Sequence, residues 1–229
     1  FLFIGGSYGI GSQIIDELPT DASIFVASRT NEGLAGKNVT HIPFDVLQDD
    51  LPLEKLPAVV DGFAYCPGSI NLRPFKGLKP EAFTADFSIN VMGAVKTLQQ
   101  LQPLLAASEQ ASVVLFSTVA VQTGMPFHAS VAAAKGALEG LGRSLAAEWA
   151  PKVRVNVIAP SITDTPLANR FLNNDAKKEK AALRHPLKRI GTTQDVAQLA
   201  AFLLSEKSSW MTGQVLGLDG GMSSLNVNG

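Results

Sequence analysis

The sequence predicts a single doubly wound α/β domain, in which a parallel sheet of about seven strands lies between helices on both faces. Short apolar runs alternate with helical patterns along the whole chain, as in units that join parallel strands through crossover helices. The runs are nearly continuous in apolar residues, which is expected of strands buried on both faces. No linker, repeat or low-complexity segment divides the 229 residues, so we expect one domain over residues 1–229.

Seven apolar runs supply the predicted strands, and four longer stretches supply the predicted helices. The strands are predicted at Phe1–Gly5, Ser23–Ser28, Thr40–Phe44, Val59–Cys66, Ser112–Thr118, Arg154–Ala159 and Gln214–Leu218. The helices are predicted at Ile10–Leu18, Pro80–Ala107, Phe127–Ala150 and Gln194–Ser205. The segment Thr165–Pro186 interrupts this alternation, and we expect it to form a mobile helical lobe.

The composition excludes several classes of partner. Hydrophobic residues make up 46% of the chain and charged residues 17%, with a formal net charge of -1, so we expect neither a nucleic-acid-binding nor a membrane-binding surface. No uncharged apolar stretch reaches the roughly 18 residues of a membrane span. The single cysteine, Cys66, excludes an intrachain disulfide and fits a reducing, cytoplasmic location. No cluster of histidine, cysteine and aspartate has metal-ligand spacing, which predicts no metal site. Because Phe1 already lies in an apolar run, we expect the natural N-terminus to lie further upstream.

A glycine-rich loop joins the first predicted strand to the first predicted helix. Its sequence, Gly-Gly-Ser-Tyr-Gly-Ile-Gly, places glycines where a backbone can adopt positive φ and approach a ligand closely. The helix N-terminus behind the loop favours a pyrophosphate group, so we predict a dinucleotide-binding loop. The predicted contacts are Gly5, Ser7, Tyr8, Gly9, Ile10 and Gly11.

The end of the second predicted strand indicates which dinucleotide is bound. NAD-specific sheets place an acidic residue there for the adenosine ribose, whereas this chain has Ser28, Arg29 and Thr30. Ser28 and Thr30 can donate to a phosphate, and Arg29 can pair with its charge. The alternative is an ordinary surface arginine after a strand. We predict NADP(H).

The loop spacing Gly-x-x-x-Gly-x-Gly resembles that of the short-chain dehydrogenase/reductase family, and the resemblance runs from end to end of the chain. Asp45-Val46 is similar to the pair that contacts adenine, and Cys66-Pro67-Gly68 stands where the family has Asn-Ala-Gly. The segment Ala159–Thr165 resembles the stretch that holds the carboxamide, with Ser161 in place of glycine. The further cofactor contacts implied by this resemblance are Asp45, Val46, Cys66, Pro67, Gly68, Ser117, Lys135, Pro160, Ile162 and Thr165.

The resemblance also implies a catalytic group, from which the chain departs at one position. In the family, a Tyr-x-x-x-Lys motif supplies the proton and holds the nicotinamide ribose; here Lys135 is present, but the residue four before it is Val131. Asn90 matches the asparagine of the proton relay. Thr118 falls at the position of the serine that steadies the substrate oxygen, with Ser117 as the reserve candidate.

His128 is the candidate to replace the missing tyrosine. It lies seven residues before Lys135, which on a helix places both on one face, and divergent enoyl-thioester reductases of the family have Tyr-x6-Lys. Imidazole is suited to proton transfer near neutral pH. The alternative is that His128 only caps or packs at the start of its helix.

These features together predict an NADP(H)-dependent oxidoreductase that transfers a hydride to or from a small carbonyl or activated alkene. An enoyl- or dienoyl-thioester reductase, and an NADP(H)-binding sensor or structural protein without turnover, are the alternatives. By resemblance, Thr165–Pro186 would lie over the substrate and the long helices would pair in a homotetramer or homodimer. The helix residues cited for that pairing are Ala132, Ala133, Leu138, Leu141, Leu145 and Ala146.

Overall fold

A seven-stranded parallel sheet forms the centre of the computed structural model, which describes residues 1–226. The last three residues of the predicted 1–229 domain lie outside the described residues. In spatial order the sheet is β3-β2-β1-β4-β5-β6-β9. Its strands are β1 (Leu2–Ile4), β2 (Phe25–Ser28), β3 (Thr40–Pro43), β4 (Gly62–Tyr65), β5 (Ala111–Phe116), β6 (Val153–Pro160) and β9 (Val215–Leu218).

Helices cover both faces of this sheet, which confirms the predicted doubly wound class. A two-stranded ladder, β7 (Thr163–Asp164) with β8 (Gly191–Thr192), lies beside the sheet. The helices are α1 (Gly9–Glu17), α2 (Pro80–Phe87), α3 (Gly93–Ala106), α4 (Ala120–Thr123), α5 (Ala129–Trp149), α6 (Asp175–Ala182) and α7 (Thr193–Leu204). Within residues 1–226, no helix has the length and apolarity needed to cross a bilayer.

The two faces of the sheet bury separate hydrophobic clusters. Leu98 of α3 and Leu138 of α5 belong to one cluster, and Ile14 of α1 and Val196 of α7 belong to the other. The order of the strands reverses between β1 and β4, so the chain leaves these two strands in opposite directions. In open parallel sheets such a switch point leaves a crevice at the carboxyl ends of the strands.

The long helix predicted over Pro80–Ala107 is wrong as a continuous α-helix, because a π-helical turn, Ser88–Met92, separates α2 from α3. The Tyr65 hydroxyl donates a 2.6 Å hydrogen bond to the Ile89 carbonyl and so takes that acceptor. Gly93 allows this contact, because a Cβ there would lie 2.3 Å from the Tyr65 hydroxyl. Such π-turns occur often at functional sites.

The exposed surface of α5 is less apolar than the sequence suggested. Leu138 and Ala146 are buried in the core, and Leu141 and Leu145 pack partly against it. Four of the six residues predicted to pair helices between chains therefore pack, wholly or partly, against the core of their own chain. The homotetramer or homodimer stays a prediction.

The predicted lobe between residues 165 and 186 contains a 3-10 segment, Pro166–Phe171, followed by α6. The Thr165 side chain accepts a hydrogen bond from the Ala168 amide at 3.2 Å and so caps the start of the 3-10 segment. The Asn174 side chain accepts from the Lys177 amide at 2.9 Å and caps α6. These two side-chain hydrogen bonds both favour helical structure after β7.

Candidate active site

One cavity of about 760 Å³ runs along the carboxyl edge of the sheet, from the glycine loop to the lobe. Every residue that the sequence predicted for the site lines this cavity, with the exception of Asn90. The fold explains the clustering, because the predicted residues follow the ends of parallel strands and these ends share one edge of the sheet. Its volume lies in the usual range for sites that bind small molecules, about 300–1,000 Å³.

The glycine loop leaves backbone uncovered at the N-terminus of α1. Gly5 and Gly9 have φ values of 72° and 61°, a region that side-chain-bearing residues rarely adopt. A Cβ on Gly11 would lie 2.7 Å from the Gly6 Cα, so the close turn requires glycine there. Tyr8, at the N-cap of α1, is 51% exposed. The loop can therefore receive a pyrophosphate at the positive end of the helix dipole.

The residues after β2 differ in how free their side chains are. The buried Ser28 hydroxyl donates to the Thr30 carbonyl at 2.8 Å and lies 3.1 Å from His41 Nε2, so it is already engaged. The Thr30 hydroxyl is 3.3 Å from the Ser7 hydroxyl. In residues 1–226, the exposed Arg29 side chain makes neither a hydrogen bond nor an ion pair. Of these three residues, Arg29 is therefore the one whose side chain is free to meet a phosphate within residues 1–226, whereas Thr30 shares a hydrogen bond with Ser7.

Lys135 is held at the bottom of the cavity by the end of β5. Its side chain is buried, and Nζ donates a 2.7 Å hydrogen bond to the Phe116 carbonyl. Burial lowers the pKa of Lys135 to about 8, against the opposing effects of Cys66 and Asp86. Gly68 lies beside it, since a Cβ on Gly68 would be 3.5 Å from Nζ. One proton of the ammonium is used by the protein, and the others remain available to a ligand.

Thr118 and Ser117 differ in the state of their hydroxyls. The Ser117 hydroxyl is buried and donates to the Glu139 carboxylate at 2.5 Å. The Thr118 oxygen accepts from the Ala120 amide at 3.3 Å, which leaves its proton free to donate. Thr118 is therefore the better placed donor to a substrate oxygen, and Ser117 fastens β5 to α5.

Val131 lies on the cavity wall and is only 4% exposed, so no proton donor occupies its position. His128 precedes α5 and lines the same cavity. Its Nδ1 is 2.8 Å from the Pro126 carbonyl, and because a carbonyl only accepts, Nδ1 carries a proton. Nε2 then holds the second proton only when the ring is charged. Among the described residues, Nε2 has no hydrogen-bond partner.

Asn90 lies behind the cavity wall rather than on it. It is fully buried in the π-helical turn, and its amide nitrogen donates to the Asp86 carbonyl at 2.7 Å and to Ser69 at 3.0 Å. Its Oδ1 has no partner in residues 1–226 and would lie 3.2 Å from a Cβ on Gly68. If Asn90 belongs to a proton relay, as predicted, the relay must pass Gly68 to join the Asn90 side chain to the cavity.

Two polar groupings beside the cavity were not found by sequence reasoning. Asp86, fully buried, accepts hydrogen bonds from Ser69 at 2.5 Å and Asn71 at 2.7 Å. Its position four residues before Asn90 is a signal that could have indicated a shared helix face. The second grouping is Ser161 with His185, which are 2.8 Å apart.

His185 fastens the lobe to the end of β6. Its Nδ1 is 2.9 Å from the Ala181 carbonyl and must donate to it, so in the neutral ring Nε2 accepts the hydrogen bond from the Ser161 hydroxyl. His185 is 2% exposed and lines the cavity. An isolated histidine in a loop gave no signal of this role, although the departure from glycine at Ser161 pointed to the place.

Comparison with known proteins is consistent with this architecture. The family model described as enoyl-(acyl carrier protein) reductase matches residues 47–223. A tropinone reductase homolog of Arabidopsis thaliana is 32% identical, with 100% of this chain and 93% of the relative covered. Senescence-associated protein 13 of the same plant is 31% identical, with 100% of this chain and 90% of the relative covered.

Solved structures share the same arrangement of elements. A short-chain type dehydrogenase/reductase from Mycobacterium ulcerans has a TM-score of 0.87 at 27% identity, covering 97% of this chain and 88% of that one. A gluconate 5-dehydrogenase from Burkholderia cenocepacia, solved in complex with NADP and tartrate, has a TM-score of 0.88 at 25% identity, covering 98% and 95%. From its sequence relatives and its family match, this chain belongs to the short-chain dehydrogenase/reductase family of oxidoreductases.

Proposed function

We propose that this protein is an NADP(H)-dependent oxidoreductase that transfers a hydride to or from a small carbonyl compound or an activated alkene. The observation that carries the proposal is the continuity of one cavity from the glycine loop, past Arg29, to Lys135 and Thr118. A dinucleotide bound along that cavity would have its phosphates at the loop and its reactive end beside Lys135. The substrate would then lie between Thr118 and the lobe.

The preference for NADP(H) rests on the residues after β2. The exposed guanidinium of Arg29 can pair with a ribose phosphate, and no carboxylate follows β2 where an NAD-binding sheet would have one. Two similar structures, the gluconate 5-dehydrogenase and the protein ElxO, were solved with NADP. Asp45 and Glu32 also line the cavity near this end, and both can accept hydrogen bonds from adenosine.

Three side chains act on the reactants in this proposal, namely Lys135, Thr118 and His128. Lys135, anchored by the Phe116 carbonyl, donates its remaining N–H groups to ribose hydroxyls. Thr118 donates a hydrogen bond from its hydroxyl to the substrate oxygen, and the charged form of His128 delivers the one proton from Nε2. When bound, the nicotinamide supplies or accepts the hydride. The protein orients the reactants and stabilises negative charge that develops on oxygen.

Val131 favours a second candidate within the same chemistry, the reduction of an enoyl or dienoyl thioester. Reduction of a carbonyl needs a proton on oxygen, which the family's tyrosine supplies. Reduction of an activated alkene ends with a proton on carbon, and water or His128 can supply it after the hydride has moved. An apolar residue at position 131 is compatible with this second route.

Oxidation of NADPH should be followed with a ketone, an α,β-unsaturated ketone and an enoyl thioester in parallel. The proposal expects turnover with at least one of them, and turnover confined to the alkenes would favour the second candidate. Val131→Tyr tests the same point from the protein side, since it should increase reduction of the ketone. Tight NADPH binding with no turnover on any substrate would instead support a cofactor-binding protein without catalysis.

A further inference from the structure

The part of the cavity formed by the lobe carries an unusual charge distribution. Three cations of the lobe line it, namely Lys177, Lys180 and Arg184. On a helix that turns about 100° per residue, these positions fall within about 60° of one another. Lys177 and Lys180 lie in α6, and Arg184 continues the spacing into the turn that ends it. The lobe therefore presents a basic face, defined by these three residues, to the cavity.

The acids of the same segment lie elsewhere. Asp175 and Glu179 do not line the cavity, and by the same angular spacing they fall on the opposite side of α6. Asp164 pairs with Lys178, which also does not line the cavity, at 2.7 Å. The basic face is thus not neutralised by carboxylates of its own segment.

The basic face also has no acidic partner elsewhere in residues 1–226. Lys177 donates to the neutral Asn173 side chain at 2.9 Å, and none of the three cations forms an ion pair within that range. Among the described residues, only two acids line the cavity, Glu32 and Asp45, and both follow strands at the other side of the sheet. The end of the cavity nearest the lobe is therefore basic and uncompensated.

Apolar side chains lie beside the basic face. Leu167 and Phe171, from the 3-10 segment of the lobe, line the same end of the cavity, as does Ala181 of α6. Sites that take small molecules combine an apolar lining with a few placed polar groups. A ligand here would meet apolar side chains along its body and three cations at one end.

We propose that the basic face binds the negatively charged group, a phosphate or a carboxylate, of an otherwise apolar substrate. The proposal rests on the proposed function, because it assigns the substrate class of that same cavity. The glycine loop and the N-terminus of α1 already provide the place for the cofactor's pyrophosphate. The lobe cations follow Pro160 and Thr165 in the chain and belong to the segment that the proposed function places over the substrate.

Matched pairs of substrates test the charge and also separate its two sources. Acetoacetyl-coenzyme A and S-acetoacetyl-N-acetylcysteamine share the same ketone and thioester, but only the first carries phosphates. Levulinate and methyl levulinate form the corresponding pair for a carboxylate. We expect the anionic member of at least one pair to have a much lower KM, and we expect added salt to raise only that KM.

The variant K177Q/K180Q/R184Q removes the basic face, and Lys178→Gln is the matched control on another side of the same helix. Each exposed charge pair is worth about two- to fivefold in affinity, so the triple variant should raise the KM of the anionic substrate about 10- to 100-fold. The kcat, the KM of the neutral substrate and the Kd of NADPH should stay within about twofold. The control should match the unmodified protein.

Calorimetric titration of the NADP+-loaded protein with both members of each pair measures binding without turnover. Tight binding that the triple variant loses supports the basic face even if no substrate is reduced, in which case only hydride transfer fails. Equal affinity for charged and neutral members, or an equal loss in Lys178→Gln, would overturn the proposal. A rise in the Kd of NADPH in the triple variant would also overturn it, because the cations would then serve the cofactor.

Discussion

Replacing Lys135 by methionine should stabilise the folded protein near neutral pH, although it removes a residue proposed to act in catalysis. Lys135 is 8% exposed, and burial lowers its pKa from 10.5 to about 8. Because one pKa unit corresponds to about 1.4 kcal/mol, the buried ammonium costs the fold about 3 kcal/mol while it is charged. Methionine has a similar shape and no charge, so it removes this cost.

The lost hydrogen bond acts in the opposite direction. The Phe116 carbonyl accepts from Nζ at 2.7 Å, and methionine leaves it without that donor, at about 1–2 kcal/mol. The net gain in the free energy of unfolding is about 1–2 kcal/mol at neutral pH. For a chain of this size, each kcal/mol moves the Tm by about 2–4 °C, so Lys135→Met should melt about 2–8 °C higher.

The gain should disappear in alkaline solution. In the folded protein Lys135 loses its proton near pH 8, whereas the unfolded chain keeps that proton up to about 10.5. The unfolded state therefore binds more protons between these values, and the stability of the unmodified protein rises with pH across that window. By about pH 10 the cost of the buried charge has fallen by about 2–3 kcal/mol, which exceeds the net gain at neutral pH, so Lys135→Met should there be slightly less stable than the unmodified protein.

Thermal unfolding at about pH 7 and about pH 10 decides the matter, with Lys152→Met as control. Lys152 is exposed, so its replacement should change the Tm little and equally at both pH values. A lower Tm of Lys135→Met at neutral pH, or a difference from the unmodified protein that does not depend on pH, would refute the reasoning.

Three further outcomes are expected. Arg29→Ala should weaken NADPH binding about tenfold or more, since one charge-assisted contact contributes about 1.5–3 kcal/mol, and should leave NADH binding unchanged in calorimetry. An equal loss for both cofactors would contradict the assignment. His128→Gln should lower kcat about 10²–10⁴-fold without changing the Kd of NADPH. An unchanged kcat would mean that water protonates the product. Light scattering should show a homotetramer or homodimer, because Phe87 and Met92 are 41% and 51% exposed on the α2–α3 segment; a monomer at micromolar concentration would reject this.

The sequence predicted the sheet well because its signals are local. Apolar runs such as Ala111–Phe116 and the glycine loop before α1 each indicate their structure without knowledge of distant residues. The break in the helix after Phe87 depends on a hydrogen bond between Tyr65 and Ile89, which are 24 residues apart, so no local pattern could indicate it. Similarly, the inward orientation of Leu138 is decided by packing against the sheet.

The cavity-lining residues were predictable for a related reason, and their hydrogen bonds were not. The ends of parallel strands meet at one edge, so residues that follow predicted strands, such as Arg29 and Thr118, lie along one cavity. Whether a hydroxyl remains free depends on neighbours in space. The Ser28 hydroxyl donates to the Thr30 carbonyl and the Ser117 hydroxyl to the Glu139 carboxylate. The Thr118 oxygen only accepts a hydrogen bond, so its proton can still be donated to a ligand. The same limit hid the contact between the lobe and the end of β6.

Val131, at the position of the family's tyrosine, removes a proton donor from the cavity but leaves the anchor of Lys135 in place. The anchor of Lys135 lies on β5, through the Phe116 carbonyl, and it does not depend on the residue at position 131. His128 is held by the Pro126 carbonyl at Nδ1, which leaves Nε2 as the one ring atom that can exchange a proton with a ligand. A substrate that needs a proton on oxygen would therefore depend on His128 for the proton, with Thr118 as a hydrogen-bond donor to that oxygen. A substrate that is protonated on carbon can take that proton from water instead, so loss of His128 should slow reduction of a carbonyl more than reduction of an alkene.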